Sequence, residues 1–220
     1  MPMIQRLFPA LFALAFAAMA AALPAATAHA SEGLVEGRDY VTVADGQPLK
    51  AEPGKVEVVE VFAYWCHHCN NLQPLITAWQ RKQPADVAFR YLPAAFTLDD
   101  AAARAYFAAE SLGVLDRTHD ATFRAIHAEQ SLPARGASMA EYAALYAGLG
   151  ADRDQVLAAM RSPETDARMA AAREFIVNAG IQGTPTIIVN GRYRALGRSY
   201  GDMLRITDLL VARERAAAGH

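Results

Sequence analysis

The stretch Trp65-Cys66-His67-His68-Cys69 contains the only two cysteines of the 220-residue chain. It lies between a valine-rich run, Val56 to Phe62, which predicts a buried strand, and a stretch from Asn70 to Gln83, which predicts a helix. Two thiols separated by two residues at a strand-to-helix junction can close a small disulfide ring and open it again. We therefore interpret the pair as a redox couple that the rest of the chain positions.

The first thirty residues have the composition of a secretory signal peptide. Arg6 gives a short positive start, Leu7 to Ala22 is apolar, and Ala28-His29-Ala30 has small residues at the two positions that a signal peptidase reads. Cleavage after Ala30 would start the mature chain at Ser31 and export it from the cytoplasm. An uncleaved membrane anchor is the alternative, although the apolar run is short for a membrane span and a cleavage site follows it.

Charge and cysteine content argue against several other classes of protein. The formal net charge of −2, which is more negative without Arg6, argues against a nucleic-acid binder. No later stretch is apolar enough to cross a membrane. Small secreted scaffolds usually carry several disulfides, whereas the one pair here closes too short a loop to restrict the unfolded chain much. A purely structural disulfide is therefore a poor explanation of the pair.

Hydrophobic periodicity predicts strands near both ends of the mature chain and a block of alanine-rich helices, from Phe96 to about Gly180, between them. A last amphipathic helix starts near Tyr200, with a tail that is expected to fray from Arg213. The other predicted strands are Asp39–Val43, Val87–Leu92, Thr186–Val189 and Arg192–Leu196, the last two joined by a hairpin turn at Asn190-Gly191.

This order of elements predicts an α/β protein with one mixed sheet covered by helices. We assign residues 31–96 and 181–220 to the sheet domain. Residues 97–180 form an inserted helical domain, whose last helix leads back into the sheet domain.

The position of Cys66 at the predicted start of a helix assigns different roles to the two thiols. Unpaired backbone N–H groups and the helix dipole favour the Cys66 thiolate and lower its pKa below the roughly 8.5 of a free cysteine. His67 and His68 add nearby hydrogen-bond donors. We assign Cys66 as the attacked sulfur and Cys69 as the buried resolving partner. A stabilised thiolate favours the reduced pair, which makes the disulfide a stronger oxidant.

Zinc binding is the main rival interpretation, because Cys-x-x-Cys is half of a zinc site and two histidines lie between the sulfurs. A closed site needs two more ligands, and the chain has no second Cys-x-x-Cys and no His-x3-His pair. We expect His119 and His127 to be surface residues of the helical block. The sequence therefore predicts neither a metal site nor a cofactor, and a non-enzymatic metal carrier using the Cys–His cluster stays an alternative.

Two acids, Glu57 and Glu60, interrupt the valine-rich strand. They are three residues apart and therefore face opposite sides of the strand. One acid is expected to point to solvent near the strand start, whereas Glu60 lies deeper, just before the cysteines. Glu60 is either a buried acid near the pair or an ordinary solvated strand residue.

Phe62 to Cys69 follows an acid-containing valine strand, and Gly183-Thr184-Pro185-Thr186 precedes another apolar strand. Together with the signal peptide and the long helical insertion, these features resemble the DsbA family, the periplasmic thiol:disulfide oxidases of the thioredoxin superfamily. The resemblance covers nearly the whole mature chain and implies a thioredoxin-like fold.

The resemblance also implies catalytic roles for four residues. Cys66 is similar to the nucleophilic cysteine of the family and Cys69 to its resolving cysteine. His68 matches the histidine that stabilises the reduced form, and Glu60 matches the acid that is thought to help proton transfer at the buried sulfur.

Substrate contacts are implied for Trp65, His67, Thr184 and Pro185. In the family the proline is cis and packs beside the active disulfide, and an extended peptide could pair with the backbone there. Apolar surface near Tyr64, Trp65 and Pro185 could hold unfolded chains. His67 replaces the usual proline of the family, so it is either a tuning residue or simply solvent-exposed.

The implied partners are unfolded exported proteins as substrates and a membrane reoxidase resembling DsbB, for a monomer in the periplasm. A disulfide isomerase or reductase of the same fold is the enzymatic alternative. Such isomerases usually add a dimerisation module before the catalytic domain, and we expect none between Ser31 and Val56.

Overall fold

A computed structural model of the protein describes residues 33–219. The predicted signal peptide, residues 1–30, lies outside the described residues. Within the described range, no helix combines the length and the hydropathy that a membrane span requires.

A five-stranded mixed sheet forms the centre of the protein, in the strand order β1-β5-β4-β2-β3. The central strand β2 pairs in parallel with β3 and antiparallel with β4, while β5 is antiparallel to both β4 and β1. This is the mixed sheet predicted from the sequence. The strands are β1 Tyr40–Thr42, β2 Val56–Phe62, β3 Val87–Pro93, β4 Thr186–Val189 and β5 Tyr193–Ala195.

Helices cover both faces of the sheet, so the core is built in two layers. On one face, Leu72 and Ile76 of α1 and Leu210 of α7 pack with Val58 of β2. On the other face, Val59 of β2 belongs to the core that the helices between β3 and β4 provide. The helices are α1 His67–Gln80, α2 Ala101–Ser111, α3 Leu115–His127, α4 Met139–Gly148, α5 Arg153–Met160, α6 Pro163–Asn178 and α7 Tyr200–Ala218.

Local capping signals explain where the inserted helices begin. Asp100, Asp152 and Ser162 cap α2, α5 and α6 through their side-chain oxygens, and Pro163 is the first residue of α6. Ser138 and Glu141 form the predicted capping box of α4. The core that contains Val59 continues from the sheet into these helices. The division into a sheet domain and an inserted helical domain stays a prediction.

Helix α1 begins directly after Cys66, its capping residue, as the assignment of Cys66 to the helix start predicts, and it runs from His67 to Gln80 rather than from Asn70 to Gln83. The predicted end of the last helix is wrong. The tail after Arg213 does not fray, and α7 continues to Ala218. Arg215 pairs with Asp86, at 2.6 Å between Nε and Oδ2, and this ion pair holds the end of α7 beside the sheet.

The expectation that one strand acid faces solvent is wrong as well. The Glu57 side chain is buried, and its carboxylate accepts hydrogen bonds from the backbone N–H groups of Leu49 and Lys50 at 2.7 and 2.8 Å. Arg90 donates a third hydrogen bond to it at 3.2 Å. Because both faces of β2 are covered, neither acid of this strand can reach water.

A tight turn joins β4 and β5, two interior strands of the sheet. Asn190 and Gly191 both have positive φ angles, 52° and 69°, as the predicted two-residue turn requires. The loop before β2 crosses directly over this turn, since a Cβ added at Gly191 would lie 2.0 Å from the carbonyl oxygen of Gln47.

We expect Gly191→Ala to lower the free energy of unfolding by about 2 kcal/mol or more, because left-handed backbone alone costs about 1–2 kcal/mol for alanine and the Gln47 clash adds to it. Urea denaturation would measure the change. Gly148→Ala is the matched control, since a Cβ there meets no atom within 4 Å and alanine is the better helix former. Equal unfolding free energies for the two variants would contradict the packing described for the turn.

Candidate active site

Cys66 lies at the junction of the central strand and α1, as the N-cap of the helix. Its Sγ accepts the backbone N–H of Cys69 at 3.3 Å, and its thiol donates to the carbonyl oxygen of Thr184 at 3.2 Å. Both cysteines are free thiols, and Cys69 is fully buried. The structure therefore brings together three of the predicted site residues, Cys66, Cys69 and Thr184.

Hydrogen bonds lower the pKa of Cys66 to about 5. The largest contribution is the hydrogen bond from the Cys69 thiol, followed by those from the Thr184 side chain and the backbone N–H groups of Cys69 and His68, while partial burial opposes them. The pKa in the unfolded chain is about 8.5. Because the pKa is lower in the folded protein, the Cys66 thiolate stabilises the reduced protein. This contribution is fully present above about pH 8.5 and is lost as the pH falls through about 5.

The second thiol behaves in the opposite way. Burial raises the pKa of Cys69 far above that of a free cysteine, and the hydrogen bond with Cys66 and the charges of Cys66 and Glu60 act in the same direction. The pair is thus split into one sulfur that ionises readily and one that keeps its proton. This order of ionisation agrees with the roles predicted from the helix start.

Glu60 lies on β2, where it is paired with Tyr91 of β3 and Ile187 of β4. It is fully buried, so the alternative of a solvated strand residue is wrong. Both of its carboxylate oxygens lack a hydrogen-bond partner among the described residues. Burial raises the pKa of Glu60 to about 8, and the charge of Cys66 adds to the effect. Glu60 is therefore protonated at neutral pH and titrates just above it.

Three polar side chains connect the strand beside Glu60 to the surface, namely Tyr91, Gln73 and Asp120. Burial, followed by the charge of Glu60, raises the pKa of Tyr91 to about 12. The amide of Gln73 donates to the Tyr91 hydroxyl at 3.1 Å and to the exposed carboxylate of Asp120 at 2.9 Å. The sequence analysis did not identify these three residues, because nothing in their local pattern indicates that they meet.

The side chains of His67 and His68 are exposed and point to different partners. His67 Nε2 accepts a hydrogen bond from the Asn71 amide at 3.1 Å. His68 Nδ1 lies 3.0 Å from the hydroxyl of Tyr200, at the start of α7. The backbone N–H of His68, rather than its ring, contributes to the low pKa of Cys66.

The expectation that His119 and His127 lie at the surface is wrong. His119 is buried among aromatic rings, with Nδ1 3.0 Å from the Tyr64 hydroxyl, and burial lowers its pKa to about 4. His127 is half-buried, and its Nε2 donates to the carbonyl oxygen of Tyr64 at 2.8 Å. The helical periodicity of the sequence indicates the burial of His119. It lies four residues before Phe123 and seven before Ile126, and both of these are on the buried face of α3.

The substrate-contacting residues implied by the resemblance are partly accessible. Trp65, Thr184 and Pro185 are half-buried, and the peptide bond between Thr184 and Pro185 is cis. Tyr64, by contrast, is only 1% exposed, so the prediction that it contributes apolar surface is wrong. Its ring packs into the core with Phe62 at a centroid distance of 5.1 Å.

Among residues 33–219, no group of three or more His, Cys, Asp or Glu side chains is arranged to hold a metal ion. His67 and His68 instead bind Asn71 and Tyr200.

Known proteins share this fold. A family model described as thioredoxin matches residues 51–208. The thiol:disulfide interchange protein DsbA of Pseudomonas aeruginosa is 36% identical over 192 residues, 86% of this chain and 89% of that protein. The protein of the same name from Azotobacter vinelandii is 39% identical over 185 residues, 82% of this chain and 85% of that protein. The crystal structure of the oxidoreductase DsbA from Xylella fastidiosa has a TM-score of 0.81 and 46% identity, over 83% of this chain and 98% of that one.

The mixed sheet, the Cys-x-x-Cys pair at a helix start and the thioredoxin match define the class as thiol:disulfide oxidoreductases of the thioredoxin fold. The relatives identify the family within this class. Because they are DsbA proteins and match most of the chain, the chain belongs to the DsbA family. The resemblance and the thioredoxin-like α/β fold predicted from the sequence are confirmed.

Cys69→Ala should raise the pKa of Cys66 from about 5 towards the value of a free cysteine, because it removes the largest cause of the shift. The ultraviolet absorbance of the thiolate, followed against pH, measures this pKa. Cys69→Ser keeps a hydroxyl that can donate, so its shift should be smaller. A Cys66 titration that stays unchanged in Cys69→Ala would show that the helix start alone stabilises the thiolate.

Proposed function

We propose that this protein is a periplasmic oxidase that donates the Cys66–Cys69 disulfide to newly exported, unfolded proteins. The opposite shifts of the two thiol pKa values carry the proposal. A sulfur with a low pKa is a good leaving group in thiol–disulfide exchange, and a stable thiolate favours the reduced state of the protein. The disulfide is therefore readily reduced by client thiols, which is the property that an oxidase requires.

The first step is attack by a client thiolate on the Cys66 sulfur of the oxidised protein. A bond forms between the client sulfur and Cys66, the Cys66–Cys69 bond breaks, and its electron pair leaves on Cys69. A second client thiolate then attacks the client sulfur of this mixed disulfide, and Cys66 leaves as a thiolate. The client loses two electrons in forming its disulfide, and the protein gains them as a dithiol.

Glu60 supplies the proton that the first step requires. Cys69 leaves as a thiolate in a buried site where its pKa is strongly raised, so it must be protonated at once. Glu60 is buried, is protonated at neutral pH, and contributes to the raised pKa of Cys69. Reoxidation reverses the transfer, with Glu60 accepting the proton as Cys69 attacks.

We assign the client contacts to Trp65, His67, Thr184 and Pro185, which surround Cys66. The Cys66 thiol contacts the carbonyl of Thr184, so an extended client paired with this backbone would bring its cysteine to the sulfur. The exposed ring of His67 adds a polar contact at the first turn of α1. His68 stabilises the reduced form through its backbone N–H.

The proposal includes the location and the partners implied by the sequence. The protein would be exported by its signal peptide and act in the periplasm as a monomer without a cofactor. A membrane reoxidase resembling DsbB would restore the disulfide. An isomerase or reductase of the same fold would use the same cysteines but would hold them mainly as thiols.

The deciding experiment is oxidation of a reduced, unfolded protein by the purified disulfide form. We expect rapid transfer of the disulfide, and an equilibrium with glutathione more oxidising than the roughly −270 mV of thioredoxin. Cys66→Ala should abolish turnover, because no accessible sulfur remains. Cys69→Ala should accumulate mixed disulfides, because the resolving thiol is missing. A potential near that of thioredoxin, or equal accumulation of mixed disulfides in both variants, would refute the oxidase assignment.

Glu60→Gln should slow mixed-disulfide formation by about ten- to a hundredfold, at or below the lower end of the usual range for general acid–base catalysis. Only the protonated acid can donate, so the rate per client thiolate should fall above about pH 8 in the wild type and stay flat in the variant. Stopped-flow measurements with a single-thiol client would show both effects.

Glu57→Gln is the matched control for that experiment, since Glu57 is equally buried on the same strand but faces the other side. It should reduce stability and leave the rate unchanged. Identical pH profiles for the wild type and Glu60→Gln would remove Glu60 from the mechanism.

A further inference from the structure

Arg135 lies in the exposed loop between α3 and α4, with its guanidinium carbon 5.1 Å from the centroid of the Trp65 ring. This is the geometry of a cation–π contact. Trp65 directly precedes Cys66 in the chain, so the contact places a positive charge from the helical insertion on the side chain next to the reactive cysteine.

The stacked guanidinium has its hydrogen-bonding edge free. In the described part of the chain, the Arg135 side chain makes no hydrogen bond and no ion pair. A guanidinium carries five N–H donors in a planar fork that fits a carboxylate. Stacking on Trp65 restricts the side chain, so less conformational freedom is lost when a carboxylate binds.

Glu129 is the one acidic residue of the described loop between α3 and α4, and it is already paired with Arg124 at 2.8 Å. The ring of His67, the residue after Cys66, lies near the ring of His127, with centroids 6.2 Å apart. Histidine is neutral or positive, so this side of the site favours negative groups.

We propose that Arg135 binds carboxylates of client proteins next to the cysteine that reacts, and so gives this enzyme a preference for cysteines in acidic segments. The inference rests on the proposed oxidase function, because it concerns the client of that reaction. In this proposal, a client that pairs with the backbone at Thr184 continues along Trp65. At about 3.3 Å per residue, a carboxylate one to three residues from the client cysteine comes within reach of Arg135.

Recognition by Arg135 is separable from the chemistry of the cysteines. The hydrogen bonds that lower the pKa of Cys66 come from Cys69, Thr184 and backbone N–H groups. Removal of Arg135 should therefore change the choice of client while leaving the redox equilibrium with glutathione unchanged. A merely structural role of Arg135 would instead alter stability without discriminating between clients.

The test compares oxidation of two peptides that differ only in whether glutamate or glutamine flanks the cysteine. We expect the wild type to have the higher kcat/KM for the glutamate peptide. In Arg135→Ala the ratio of the two kcat/KM values should fall by about two- to fivefold, because that is the effect of losing an exposed ion pair. Arg135→Lys should retain part of it. The preference should also shrink in 1 M salt, where the screening length is about 3 Å.

Arg153→Ala is the matched control, since Arg153 is an exposed arginine at the start of α5 that also lacks an ion pair and is not stacked on Trp65. It should leave the peptide preference intact. Equal loss in Arg153→Ala and Arg135→Ala would overturn the assignment, because it would show a general effect of net charge.

A second measurement keeps the inference independent of turnover. Versions of the two peptides with serine in place of cysteine cannot react, and their binding to the wild type and to Arg135→Ala can be followed by titration. Tighter binding of the glutamate peptide that disappears in Arg135→Ala supports the site even if the oxidase assignment fails. Equal binding of both peptides to the wild type refutes the site even if oxidation proceeds normally.

Discussion

The hydrogen bond between the two thiols is the interaction on which the chemistry of this protein depends. It lowers the pKa of Cys66 and helps to raise that of Cys69, so one contact sets the order in which both sulfurs ionise. The contact requires a fixed first turn of α1, and the apolar face of that helix provides it. Leu72 and Ile76 are fully buried against the sheet, which holds the start of the helix in place.

The two acids of the central strand show how the same residue type is used in opposite ways. Both carboxylate oxygens of Glu57 accept hydrogen bonds, from two backbone N–H groups and from Arg90, so its burial leaves neither oxygen without a partner. Glu60 has no such partner in the described structure, and burial makes its neutral form the stable one at neutral pH. A buried acid left unsatisfied lowers stability. In the proposed mechanism, this acid also supplies an exchangeable proton to Cys69.

Most of the fold could be predicted because its signals are local. The valine-rich strand, the Ser138 capping box and the Asn190-Gly191 turn each specify structure within a few residues. Apart from helix ends, the errors concern burial. His119 is surrounded by aromatic rings from other segments, and Glu57 is bound by the loop before β2 and by Arg90, and neither environment is visible in the local pattern. The Cys-x-x-Cys pair was predictable from spacing, whereas the row from Tyr91 to Asp120 forms only through tertiary packing.

The chemistry of the motif is therefore set by segments that are far from it in sequence. Thr184, which precedes β4, contacts the Cys66 thiol, and Tyr200 of α7 holds the side chain of His68. From the helical insertion, His127 binds the carbonyl of Tyr64 and Arg135 covers the ring of Trp65. The insertion thus contacts the two residues that lead into the reactive cysteine. Under the proposed role of Arg135, a change in the helical block alters client binding without altering the cysteine pair, so substrate range and redox potential would vary separately on this fold.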